Sequence, residues 1–377
     1  MKKFAFIATL IFMAAFMLSA CNTETPKSKK VSIVATIYPQ YDWLKNILGE
    51  KADAVDLKLL IKNGTDLHSY KPSAQDIASI ASADMVVFVG GESDEWIEKA
   101  LEATPKAGRV QVNLMKALGN RVKEEEVVEG MQAEEHEHHH EHGEEAEEHE
   151  HHDEHTEEAE HHEENVAEHH EHAEEHEHHD EHTEEAEHHE HHHHEGEVEN
   201  DEHIWLSLKN AEILVKNLAE SVAKLDTANA PIYKANAILY ASKLHELDWA
   251  YDSTVSYAPQ KTILFGDRFP FRYLVDDYGI KYYAAFVGCS AESEASFETV
   301  AFLAGMMDSL SLPAIFTIDG SHSNVARAIL NASKKSKNVP ILTLNSMQSV
   351  TDEQVRSGIN YLSIMQSNLD VLKQALK

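Results

Sequence analysis

The run EEHEHHDEHTEEAEHHE begins at Glu147 and returns letter for letter at Glu174. It sits inside a stretch from Glu124 to Glu202 that holds 36 acidic residues and neither Lys nor Arg. A segment so rich in like charge and so poor in apolar side chains cannot offset the entropy of ordering its backbone. The chain must therefore fold on either side of it, and residues 123–201 read as a disordered or transiently helical insert. The formal charge of −34 on the 377-residue chain belongs to this stretch, because the rest sums to +2. Histidine divides in the same way. Of 28 histidines, 24 fall between His136 and His194, and only His68, His203, His245 and His322 lie outside.

The opening MKKFAFIATLIFMAAFMLSAC has a basic start, an apolar stretch and small residues before Cys21, the layout of a secretory signal over residues 1–20. The apolar run is too short to be a strong membrane span. Leu18, Ser19 and Ala20 ahead of Cys21 resemble the lipobox of bacterial lipoproteins. That resemblance implies cleavage before Cys21, lipid on its sulfur, and a polar tether over residues 21–30 at the outer face of a membrane. With Cys21 lipidated, Cys289 has no disulfide partner. It stands in a Gly-Cys-Ser turn after an apolar run and reads as a buried thiol, with a metal-ligand role as the alternative.

The remaining residues suffice for two α/β lobes. In the first, over residues 31–225, VSIVATIY from Val31, AVDLKLLI from Ala54 and DMVVFVGG are short, β-branched strands. They alternate with helices through YDWLKNILG, closed by Gly49, and SAQDIASIASA, capped by Ser73. In the second, over residues 259–377, KTILFGD, KYYAAF, PAIFTID and VPILTLN alternate with SFETVAFLAGMMDSL and NVARAILNAS. Such alternation predicts two mainly parallel, Rossmann-like sheets with helices on their faces. Between the lobes, over residues 226–258, apolar positions Ile232, Tyr233, Ala237, Tyr240, Leu244, Leu247 and Tyr251 keep helical spacing after Pro231. A helix of that extent is about 40 Å long, a stiff strut that predicts small motions on binding in place of wide hinge closure.

In open parallel sheets a ligand site lies beyond the carboxyl ends of the strands. IKNGTDLHSYKPSAQDI places His68 just there, and NDEHIWLSLKNA places His203 in a second loop that leads into a helix. Two imidazoles in a shared cleft begin a zinc site.

These two motifs resemble the Pro-His-Ser-Phe/Tyr-x-Pro-Ser and Asp-Pro-His-Trp-Leu-Asp-Pro elements of the zinc and manganese substrate-binding lipoproteins of ABC transporters. The similarity continues through the inter-lobe helix to the terminal NYLSIMQSNLDVLKQAL. It implies two lobes on a rigid helix, one buried metal, and a His-rich loop in the position of the insert. It carries His68 and His203 over as ligands. The family's third ligand precedes a tyrosine by five residues; counting back from Tyr273 reaches Arg268, which cannot bind a metal, whereas counting along the strand reaches Asp267. Asp267 is the expected third ligand. Asp319 is the expected fourth, with His322 its competitor and Asn345 a weaker choice where relatives carry aspartate. Glu292 and Glu294 read as a solvated helix start.

Imidazole with carboxylate favours zinc, with manganese the alternative. The insert strengthens that reading. Its imidazoles, among them His136, His138, His139, His140, His151, His152, His178, His179, His191, His192, His193 and His194, would capture several ions weakly and feed or sense for the cleft. The implied partners are a permease and its ATPase, the implied state a monomer lipid-anchored outside the membrane. A surface zinc-storage or adhesion lipoprotein is the alternative. An enzyme would need an open coordination position with a general base, and outside the insert HExxH, GxSxG and a phosphate-cradling glycine loop are all missing. Neutral lobes beside an acidic insert argue against nucleic acid. Because ligands must be deprotonated, affinity should fall as pH drops through the histidine range.

Overall fold

Val31–Ala35 (β1), followed by a helix over Tyr38–Leu48 (α1), sets the pattern that the whole chain repeats. In this computed structural model, residues 30–132, 199–290 and 294–377 are described. The expected signal, Cys21, Glu292 and the 24 histidines between His136 and His194 lie outside them.

The first half continues with β2 (Val55–Leu59), α2 (Ala74–Ser82), β3 (Met85–Phe88), α3 (Glu95–Ala103), β4 (Val110–Asn113) and the short α4 (Leu114–Leu118). The strands pair in the order β2-β1-β3-β4, all parallel. β3 is buried at all four positions, as a parallel strand covered on both faces must be. Ser73 caps α2 with its side chain on the Asp76 amide, and Asp76 returns the bond to the Ser73 amide.

After residue 199 the chain forms α5 (Leu208–Leu225) and then α6 (Ala230–Ser256), which has 27 residues. Pro231 stands in the first turn of α6, where its missing N–H is no loss. Of the seven positions expected to face inward, Tyr233, Ala237, Tyr240, Leu244, Leu247 and Tyr251 are buried; Ile232 is only partly so, since it lies in the first turn.

The second half forms β5 (Thr262–Phe269), α7 (Arg272–Tyr278), β6 (Lys281–Val287), α8 (Phe297–Ser309), β7 (Ile315–Ile318), α9 (Asn324–Ala332), β8 (Ile341–Leu344), α10 (Asp352–Arg356) and α11 (Tyr361–Ala375). Its strands run parallel in the order β6-β5-β7-β8. Side chains alternate across this sheet: Leu264 joins an apolar cluster under α8 and α9, while Ile263 and Phe265 join a core shared with the first half. That shared core runs through α6 and α11. The hydroxyl of Tyr361 donates to the Trp205 carbonyl at 2.6 Å, that of Tyr251 to the Met365 carbonyl at 2.6 Å, and that of Tyr38 to the Ile359 carbonyl at 2.7 Å. The last helix thus ties the two sheets to one strut, and the carboxyl ends of both face a common cleft.

Within the bounds expected for the insert, residues 123–132 and 199–201 are ordered, and there the two ends of the tract form a closed stem. Glu125 N donates to the Glu199 carbonyl at 2.8 Å and Asp201 N to the Lys123 carbonyl at 2.9 Å, an antiparallel pairing. The Tyr273 hydroxyl accepts from Lys123 N and donates to the Asp201 carbonyl. Farther on, Gln132 pairs with β6, its amide donating to the Ala285 carbonyl at 2.9 Å. The outgoing arm of the stem therefore meets the second sheet at Gln132. No described helix is long and apolar enough to cross a membrane.

Candidate metal centre

His68 sits in a single helical turn after β2, where the Asp66 carboxylate accepts from the His68 amide at 3.0 Å. His203 ends the returning strand of the stem and is fully buried. The two side chains, 135 residues apart, meet with Nε2 to Nε2 at 3.1 Å. Two nitrogens each ~2.0–2.1 Å from a tetrahedral zinc lie ~3.3 Å apart. The imidazoles therefore already occupy close to one edge of such a tetrahedron.

Each ring is oriented from behind. His203 Nδ1 donates to Asp201 Oδ1 at 3.1 Å, and the same oxygen accepts from the His203 amide at 2.8 Å, which makes Nε2 the acceptor nitrogen of the ring. His68 Nδ1 lies 2.7 Å from Ser93 Oγ, and the Ser93 amide donates to Glu202 Oε1 at 2.9 Å. The tripeptide Asp201-Glu202-His203 thus supplies one ligand candidate and the acids behind both rings. Glu202 is 2% exposed, and burial raises its proton affinity. Gly91 makes room for it, since a Cβ at that position would overlap the Glu202 carboxylate. Asp94, buried beside Glu202, accepts from the Val89 amide and is pushed up to about 7 by burial. Burial and the neighbouring His203 push His68 down to about 3. That favours the neutral imidazole, the form a metal needs.

The third donor beside these nitrogens is the sulfur of Cys289. Its Sγ and ring nitrogens of His68 and His203 all lie within 4.8 Å of one another, and among the described residues this is the group of His, Cys, Asp and Glu side chains able to hold a metal. Burial, with the carboxylates of Glu125, Glu202 and Asp201 nearby, pushes the thiol far above its usual range. Gln348 completes the surround: its Nε2 lies 3.2 Å from His203 Nε2 and 3.4 Å from Asp66 Oδ1, while its Oε1 is buried without a partner.

The other sequence candidates are placed differently. Asp267 lines the same cleft, of about 480 Å³, with Oδ2 buried and unpartnered, and burial raises its proton affinity. It is not one of the three clustered donors; the bulge of β5 between Phe265 and Arg268 sets it on the wall. Arg268 is paired with Asp66 and, against the burial that opposes ionisation, holds that acid below the usual carboxylate range. Asp319 also lines the cleft, but its carboxylate is committed to the Ser346 amide and hydroxyl and the Ser349 hydroxyl, which tie the turn after β8. His322 is exposed, and Asn345 is bound to Asn368 and to the Met347 amide. Glu294 is exposed. The contributions of Ser93, Glu202, Glu125 and Gln348 escape sequence reading. The one visible signal was Glu202 itself, an acid where the resembling element has proline.

A family model described as ZnuA, zinc-uptake complex component A, periplasmic, matches residues 33–157 and 154–375. The chain belongs to this family. A zinc-uptake family relative, the zinc-binding lipoprotein AdcA of Streptococcus pneumoniae, is 30% identical over 374 residues, covering 99% of this chain and 61% of AdcA. The chain thus spans about three fifths of that relative's length. The high-affinity zinc uptake system protein ZnuA of Bacillus subtilis is 28% identical, covering 97% of this chain and 96% of that protein. Among solved family structures, the Zn(II)-bound ZnuA-like domain of S. pneumoniae AdcA superposes with a TM-score of 0.60 at 26% identity, over 92% of this chain and 99% of that domain. The two-sheet α/β fold anticipated from the sequence is the fold of the family.

Proposed function

We propose that this chain is the extracytoplasmic zinc-binding receptor of an ABC-type uptake system, with the ion bound between His68 and His203. The observation that carries this reading is the pair of Nε2 atoms 3.1 Å apart, near a tetrahedral edge, each ring engaged from behind through Nδ1. Such an arrangement is preorganised, so little of the binding free energy is spent on ordering the ligands. Asp267, with its unpartnered oxygen in the cleft wall, is the proposed carboxylate donor after a small adjustment of β5. The zinc named in the family description and in the AdcA and ZnuA relatives supports the choice of ion.

The relative named as a lipoprotein supports the anchor at Cys21. In this reading the anchored receptor passes its ion to a permease driven by a cytoplasmic ATPase, the insert gathers zinc weakly, and the chain has no catalytic role. The test is zinc binding by His68→Ala, His203→Ala and the double variant in a chain without residues 133–198. Each single loss should exceed the roughly 10–100-fold that removal of an outer-shell partner causes. Tight single-site binding retained by the double variant would refute the proposal.

A further inference from the structure

Cys289 follows β6 in the second half of the chain, yet two independent features hold it against the imidazoles. The first is Gly288. A Cβ there would stand 2.9 Å from the Phe269 carbonyl oxygen and 3.0 Å from His203 Cε1, so only a residue without one lets this turn pack directly on the His203 ring. The second is Glu125, from the stem of the insert, whose Oε1 accepts from the Cys289 amide at 3.2 Å. The turn is thus clamped between a ligand ring and the stem, and its sulfur lies within 4.8 Å of both ring nitrogens. In a tetrahedral zinc site a nitrogen and a thiolate sulfur are ~3.6 Å apart. The 4.8 Å limit exceeds that separation by about 1.2 Å, so Sγ has to move inward by an amount on the order of an ångström to reach the ion.

We infer that Cys289 binds the metal as a thiolate, which makes the cleft a two-nitrogen, one-sulfur site selective for thiophilic divalent cations. The inference rests on the receptor reading above and sharpens its substrate class. When the metal binds, the S–H bond breaks, the proton leaves to water, and the freed pair on sulfur is donated to the cation. Two imidazoles and a thiolate suit Zn2+ and Cd2+, whereas Mn2+ is suited by carboxylate, carbonyl and water. The cysteine, more than the histidines shared with a zinc and manganese family, would then exclude manganese.

The test uses the full chain carrying Cys21→Ser, so that Cys289 is its single thiol. Titration with Co2+ should produce a near-ultraviolet sulfur-to-cobalt charge-transfer band that saturates at one equivalent and is lost in Cys289→Ser. The same substitution should weaken zinc binding at least about tenfold and narrow its preference over Mn2+. Should Cys289→Ser fail to fold, X-ray absorption at the zinc edge of the parent protein with one equivalent bound decides the matter, by the presence or absence of one sulfur at about 2.3 Å. No charge-transfer band together with unchanged zinc affinity in Cys289→Ser would overturn the inference and leave the receptor reading standing. Loss of binding only in the histidine variants would have the same meaning. If the parent chain shows no tight cleft site, both readings fall.

Discussion

Substitution of Gly91 by alanine should weaken zinc binding without touching any metal donor. The Gly91 backbone has φ −97°, which any residue adopts, so the cost of a methyl group there is steric alone. That methyl would overlap the Glu202 carboxylate, and Glu202, packed behind Ser93 and His68, would have to leave. Its departure removes the bond from the Ser93 amide at 2.9 Å and frees Ser93 Oγ, 2.7 Å from His68 Nδ1, to turn. A hydrogen bond to a charged acceptor contributes about 1.5–3 kcal/mol, which corresponds to roughly 10- to 100-fold in affinity if the whole effect reaches His68. Competition against a fluorescent zinc chelator, in a chain without residues 133–198, measures it. Gly91→Ala and Glu202→Ala should each lose affinity in that range. The double variant should be no worse than Glu202→Ala, because the side chain that the methyl displaces is already gone. Additive losses, or a Gly91→Ala protein that binds like the parent, would show that Glu202 does not orient His68.

Deletion of residues 133–198 should leave one tight site and remove additional weak binding, read as stoichiometry by calorimetry; an unchanged stoichiometry would dismiss the gathering role of the insert. The cut has to spare Gln132 and Asp201, which hold the second sheet and the His203 ring. In the metal-free chain, His68 is neutral when folded but takes up a proton below about 6.5 when unfolded. Its contribution to stability is therefore present above pH 6.5 and lost as pH falls toward about 3, and urea midpoints of His68→Gln should show a flatter slope over that window. Asp94 acts in the opposite sense: with a folded value of about 7 against 3.8 unfolded, it stabilises below pH 3.8 and loses that contribution as pH rises through about 7. Asp94→Asn should abolish the decline.

Much of the fold was legible because it is written locally. Short β-branched runs became strands, Gly49 closed α1, Ser73 capped α2, and Pro231 opened the strut, each through physics that acts within one turn or one strand. β4 was not anticipated; Val110–Asn113 is short and half-exposed, and gives no apolar run. In the cleft, His68 and His203 announced themselves by their motifs and by their place beyond strand ends. Cys289 did so only as an alternative to a buried thiol, since its approach depends on Gly288 packing against a ring 85 residues earlier in the chain. Counting along β5 pointed to Asp267, but a bulge between Phe265 and Arg268 decides where that carboxylate stands. The Asp319 carboxylate attracted a ligand role in sequence, whereas in three dimensions it serves the hydroxyls and amide of a turn. Side-chain commitments of this kind arise from long-range packing, and no window of sequence contains them.

The paired backbones of Lys123 to Glu125 and Glu199 to Asp201 also bear on how such a chain can evolve. Because the stem is fastened upon itself and to Tyr273, the chain that leaves for the insert and the chain that returns from it are held together just before His203. The tract could double a unit of its own sequence, as the copies starting at Glu147 and Glu174 record, while the cleft stayed under separate selection.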